Sequence, residues 1–125
     1  MSTKSYKEIA TEFLILASKG IVRESFKNYT PFDFKHHNVF FKGDAETLML
    51  AIEENANKSP NMIFEIKHAL HDGNLVAVHS HARQNADDLG AAICHVFQFR
   101  KEKIIDVWNF GQAIPVEMVN EYGMF

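Results

Sequence analysis

The sequence predicts an α+β fold in which helices cover one face of a mostly antiparallel sheet. Two observations carry that prediction. Up to about Asn57, apolar side chains recur at helical spacing in three stretches. From Met62 to Gln112, four runs alternate with period two and are separated by turn residues. Strands grouped after helices favour α+β over an alternating α/β order.

In chain order, Ser5 and Glu8 have the spacing of a capping box, so the first helix starts at Tyr6. Tyr6, Ile9, Ala10, Phe13, Leu16 and Ala17 form one stripe along it, and Gly20 supplies the stop. A second short helix runs from Val22 to Tyr29, with Val22, Phe26 and Tyr29 on its inner side. Thr30-Pro31 ends it, because the residue before proline is pushed out of the helical region. Phe34 to His37 reads as a short strand or extended loop. Asp44 caps the third helix, Ala45 to about Asn57, whose buried face carries Leu48, Ala51, Ile52 and Asn55. Ser59-Pro60 closes it. Strands then follow around Ile63–His71, over Leu75–Gln84, over Ala91–Phe99 and from Lys103 to about Gln112. Asp72-Gly73 is a hairpin signal between the first pair. The residues from Ala113 to Phe125 are too apolar for a free tail and are expected to pack on something.

At 125 residues the chain is expected to be a single domain, residues 1–125. Hydrophobic residues at 46% and charged residues at 23% fit a globular protein. Eleven phenylalanines point to a core or cavity with aromatic walls. A net charge of −3 without a basic run gives no footprint for nucleic acid or an anionic membrane. No apolar run approaches the roughly 18 residues that span a bilayer. A single cysteine, Cys94, excludes an internal disulfide and fits a cytoplasmic location. There is no phosphate loop, nucleophile elbow or CxxC pair, so neither nucleotide binding nor serine-type hydrolysis is indicated.

Parity along the strands suggests where a site lies. Odd positions hold Leu75, Ala77, His79, His81 and Arg83, then Ile93, His95, Phe97 and Phe99, then Ile105, Val107 and Asn109. An apolar surface with a few polar groups describes a small-molecule pocket. Even positions, among them Val76, Val78, Cys94, Val96, Ile104, Trp108 and Phe110, form a second apolar face. It is expected to be covered by the C-terminal tail, by a second copy of the chain, or by both, with a homodimer through this face favoured.

Several segments resemble a known family: His36 to Asn38 (HHN), Phe64 to Arg83, His95 to Phe99 (HVFQF), Lys103 to Pro115 and the terminal YGMF. Together these resemble the SnoaL-like (polyketide cyclase-like) proteins of the nuclear transport factor 2-like superfamily, in the branch associated with aldol-condensation-type chemistry. The resemblance covers nearly the whole chain from Ile9 onward. It implies a cone-shaped fold, three N-terminal helices packed on a curved, mostly antiparallel sheet, enclosing a cavity. It also implies a hydrophobic small-molecule ligand and no metal or cofactor. Family members commonly carry aspartate after the tryptophan of the last strand; here that position is Asn109, which cannot exchange a proton at neutral pH.

The expected activity is proton transfer on a carbonyl-containing hydrophobic substrate, of aldol, cyclase or isomerase type, with a non-catalytic binding module as the alternative. His81, His95 and His79 are the candidate catalytic groups, because imidazole titrates near neutral pH. His37 and Asn109 are candidates for holding the carbonyl, Phe97 for lining the pocket, and Arg83 for a substrate carboxylate. The three histidines could also suggest a metal, but no carboxylate shares their parity, so none is expected. His68 reads as a core histidine on the apolar parity of its strand.

Overall fold

A computed structural model describes residues 4–125. The elements run α1 (Tyr6–Ser18), α2 (Arg23–Tyr29), β1 (Lys35–His36), α3 (Ala45–Lys58), β2 (Ile63–Asp72), β3 (Leu75–Arg83), β4 (Ala91–Arg100) and β5 (Lys103–Ala113). They form one five-stranded sheet in the order β1-β5-β4-β3-β2, antiparallel except that β1 runs parallel to β5. No helix among the described residues is long and apolar enough to cross a membrane.

The helix starts follow from local chemistry. Ser5 Oγ accepts from the Glu8 amide, and the Glu8 carboxylate accepts from the Ser5 amide, both at 3.0 Å, which satisfies two donors that a helix start leaves free. Asp44 caps α3 in the same way, accepting from the Thr47 amide at 3.0 Å. In α1 the buried residues are Ile9, Ala10, Phe13 and Leu14, so the stripe is rotated toward Leu14 relative to the expectation. These side chains meet Val22, Phe26 and Phe34 from the helical layer, and Val76, Val78, Phe97, Phe99, Ile104 and Val107 from the sheet. Phe13 packs against Phe26 at 5.0 Å and edge-on against Phe97 at 6.0 Å.

The face assignment of β3 departs from the expectation. Val76, Val78 and Ser80, fully buried, face the helices; His79, His81 and Arg83 face the other way. The reason is register. Val78 pairs with His95 and Val76 with Phe97, so an even position on β3 shares its face with an odd one on β4. A register offset of one residue exchanges the two faces of a strand. Two bulges add further exchanges. One between Ile66 and His68 sends His68 and Leu70 outward, where His68 lies opposite His79. The other, where Gln98 and Phe99 meet Asp106 and Ile104, lets both Ile104 and Val107 point inward. His68 is therefore an outer-face residue, not a core histidine.

The connection between β4 and β5 is a two-residue turn with Lys101 at φ +49° and Glu102 at φ +67°. Positive φ at both central positions is the hairpin geometry that Asn-Gly ordinarily supplies. Here two side chains accept the strain so that the strands can keep their twist.

The outer face carries one straight row across four strands, His68–His79–Cys94–Phe110. The chain end lies on it: the Phe125 ring sits 5.4 Å from His79 and 4.6 Å from His81, with the Lys67 amine 5.2 Å from its centre. The expectation that the tail packs is met only at its end, through Phe125, since most of the residues between Ala113 and Tyr122 stay exposed. Phe110, Val116, Val119 and Tyr122 are exposed.

Candidate functional site

A cavity of about 390 Å³ opens between the inner face of the sheet, α1, α3 and the loop after β1. Its apolar wall is built from Phe13, Leu14, Leu48, Ile52, Ile93 and Phe97 among others, and no charged side chain lines it. The polar groups that reach it are few: His95 and Asn109 from the sheet, His36 and Asn38 from β1 and its loop, and Ser18 and Asn55 from the helices. A larger but polar recess around Ser18, Lys19, Glu53 and Asn57 lies where α1 and α3 end; it has no convergent apolar wall and none of the predicted residues reaches it.

Of the seven predicted site residues, the fold brings three together: His95, Phe97 and Asn109. His95 and Asn109 are directly opposite each other on β4 and β5, which places their side chains side by side on the cavity face. Phe97 is fully buried below them, its ring 6.1 Å from that of His95.

The other four lie on the opposite face and have partners of their own. His79 shares a hydrogen bond with His68, Nδ1 to Nδ1 at 3.0 Å, with the two rings stacked. His81 donates from Nε2 to the Leu89 carbonyl at 2.7 Å. Arg83 bonds to Glu65 at 3.3 Å. His37 donates from Nε2 to Asp106 at 2.9 Å, and its ring stacks on Trp108 with centres 4.8 Å apart. The expectation that His79, His81 and His95 surround one spot is corrected by the β3–β4 register, which puts the sheet between them. Among the described residues, no three His, Cys, Asp or Glu side chains are placed to hold a metal ion.

His36 takes the place in the cavity that was expected for His37. In β1 it pairs with Val107, an inward residue, whereas Lys35 pairs with the outward Asp106. Alternation then sends His37 outward again. The sequence signal was present, since β1 lies beside β5, but only the parallel pairing sets its phase. Asn38, Phe41 and Asn55 complete the lining; sequence reasoning placed Asn55 on the buried face of α3 and gave the other two no role.

The histidines differ in what holds them. Six of the seven have a ring nitrogen bonded to a carbonyl, a carboxylate or another histidine. The exception is His95, whose Nδ1 is buried and has no hydrogen-bond partner. The residue borders the cavity and keeps some accessible surface, but its ring is largely removed from water. That desolvation penalises the imidazolium and pushes the His95 pKa down from 6.5 to about 4. At neutral pH the ring is uncharged and can accept or donate one proton in a hydrogen bond. Neutral imidazole beside a carboxamide, in a cavity without charged groups, suits a neutral ligand with a carbonyl or hydroxyl on a hydrophobic frame.

No protein-family model matches the chain, and no curated protein is detectably similar to it in sequence. Solved structures do resemble it. A candidate polyketide cyclase from Bacillus cereus superposes with a TM-score of 0.71 at 19% identity, covering 87% of this chain and 79% of the other. A candidate isomerase of the SnoaL-like family from Agrobacterium tumefaciens superposes with a TM-score of 0.67 at 16% identity, covering 84% and 95%. A nuclear transport factor 2-like protein of unknown function from Cytophaga hutchinsonii gives 0.69 at 14% identity, covering 90% and 95%. Such identities speak to architecture, and the architecture agrees along most of each chain. With three helices packed on a five-stranded, mostly antiparallel sheet and a cavity between them, the chain has the nuclear transport factor 2-like fold, the fold also found in SnoaL-like proteins.

Proposed function

We propose that this chain is a SnoaL-like protein that takes a neutral, hydrophobic, carbonyl-containing molecule into the cavity and transfers a proton on it without a cofactor. The reaction would be of aldol, cyclase or isomerase type. The single observation that carries the reading is His95, half-buried in the cavity wall, with its Nδ1 buried and unpaired, opposite Asn109. An uncharged imidazole is free to act as a base at pH 7. Burial disfavours an isolated imidazolium, but removing a proton from the carbon next to a ligand carbonyl creates an enolate at the same moment. The two charges then offset each other inside the cavity. Asn109 supplies an amide N–H to the carbonyl oxygen, where the negative charge collects. The family names of the structural neighbours, a SnoaL-like isomerase and a polyketide cyclase, agree with this class of chemistry.

The alternative, a non-catalytic binding module, is favoured by one feature: the cavity contains no carboxylate, and Asn109 replaces the acid that the resemblance leads one to expect. Assaying turnover on a panel of β-keto compounds separates the two. The enzyme reading expects turnover that depends on His95. Saturable binding without turnover supports the module and overturns the enzyme.

The proposed setting is cytoplasmic, in keeping with a lone free cysteine. We also propose that two copies pair through their outer sheet faces. Phe110, on the outer face, is 62% exposed, and Val116, Val119 and Tyr122 of the tail segment are exposed as well, which is much apolar surface for one molecule to leave in water. Sedimentation velocity is expected to give a dimer that Phe110→Glu converts to a monomer. A monomeric wild type would refute the pairing.

A further inference from the structure

Residues 36–43 form a loop whose neck is held by one side chain. The His36 ring, 5% exposed, donates from Nε2 to the Lys42 carbonyl at 2.6 Å and accepts at Nδ1 from the Asn38 amide at 3.2 Å. Its own backbone amide donates to the Gly43 carbonyl at 3.4 Å. Within the loop, Asn38 Oδ1 accepts from the Phe40 amide at 3.1 Å, and the Asn38 carbonyl accepts from the Phe41 amide at 3.2 Å. Among the described residues, the hydrogen bonds of Asn38 to Lys42 all stay inside the loop or end on His36. The loop is therefore a self-contained piece, anchored at one end by the His37 amide on the Val107 carbonyl and at the other by the start of α3. Beyond the His36 neck and these two anchors, no hydrogen bond among the described residues ties it to another element.

Its side chains divide sharply. Asn38 and Phe41 line the cavity, while Val39 and Phe40 between them are 88% and 87% exposed. Two consecutive large apolar side chains in water, next to residues that line an apolar cavity open on one side, find no burial partner among the described residues.

We propose that Val39 and Phe40 are ligand-binding residues. When a hydrophobic molecule fills the cavity, the loop turns about the His36 neck and sets both side chains over the open side, completing its apolar wall. The ligands selected are neutral hydrophobic molecules large enough to reach the cavity mouth and touch that pair. This inference rests on the reading of the cavity as a ligand pocket, and its test keeps the two apart.

The full chain is titrated with the neutral fluorophore N-phenyl-1-naphthylamine. The double substitution Val39→Ser/Phe40→Ser is expected to weaken binding about tenfold while leaving the urea midpoint unchanged, because neither side chain is packed in the free protein. Ala51→Trp, which fills the cavity from α3, is expected to abolish binding; Asn55→Trp serves instead if that variant does not fold. Unchanged affinity in the serine double variant, with binding lost on filling the cavity, overturns the closing wall and leaves the pocket reading intact. No binding by the wild type, or binding unaffected by filling the cavity, overturns both.

Discussion

Replacing His95 with glutamine is expected to lower turnover of an accepted β-keto substrate by on the order of 10²–10⁴-fold, the range for loss of a positioned general base. Glutamine keeps a polar group of similar reach facing Asn109 but cannot take a proton. Substrate binding, measured by displacement of a fluorescent probe, is expected to change far less than turnover. Equal turnover in the variant would remove His95 as the base and, with it, the observation on which the enzyme reading stands.

The same variant has a second, independent signature in stability. In the folded chain His95 titrates at about 4, against 6.5 for an ordinary histidine. Above pH 6.5 the ring is neutral folded or unfolded and contributes no pH dependence. Between about 6.5 and 4 the unfolded chain binds a proton that the folded chain rejects, so stability falls as the pH falls. Below about 4 both states are protonated and the loss levels off. A shift of this size corresponds to about 3 kcal/mol. Urea melts of wild type and His95→Gln at pH 7 and pH 4 are expected to differ in slope by that order, with the variant the less acid-sensitive. Parallel pH profiles would mean that the ring is not desolvated.

Gly90→Ala is the substitution expected to damage the fold most. Gly90 has φ +77°, and a Cβ there would lie 2.1 Å from the Ala82 carbonyl oxygen and 2.7 Å from Arg83 Cγ. That carbonyl belongs to β3 where it pairs with Ala91, and the Gly90 carbonyl itself accepts from the Ile114 amide at 3.0 Å. Relief therefore has to come from shifting paired backbone at the mouth of the β3–β4 connection. A cost of about 4 kcal/mol is expected, well beyond the ~1 kcal/mol of left-handed strain alone. Gly73→Ala is the control: φ is +60°, but no atom lies within 4 Å of the added methyl, so only the strain remains. Denaturant melts giving similar losses for the two variants would show that the close approach at Gly90 does not matter.

Much of this architecture was legible from local chemistry. Ser5/Glu8 and Asp44 mark helix starts because a short polar side chain there satisfies amides that the helix cannot. The order of helices and strands was legible for the same reason: period and turn residues are local properties. That His95, Phe97 and Asn109 share one face, the one lining the cavity, was legible too, since β4 and β5 share a parity along most of their pairing. The outward placement of His79, His81 and Arg83 had a sequence signal as well. The alternate set in that strand, Val76, Val78, Ser80 and Ala82, is the less polar of the two and would have been the better candidate for the buried face.

What the sequence by itself determined is which residues alternate, where elements begin and end, and that one polar-dotted apolar face exists. What only the tertiary structure decided is the phase joining one strand to the next. Register between β3 and β4, bulges at Ile66/His68 and Gln98/Phe99, and the parallel docking of β1 each shift the phase by one residue. A shift of one residue reverses the face of every side chain beyond it. That is why His36 lies inside and His37 outside, and why His95 is parted from His79 and His81 by the sheet.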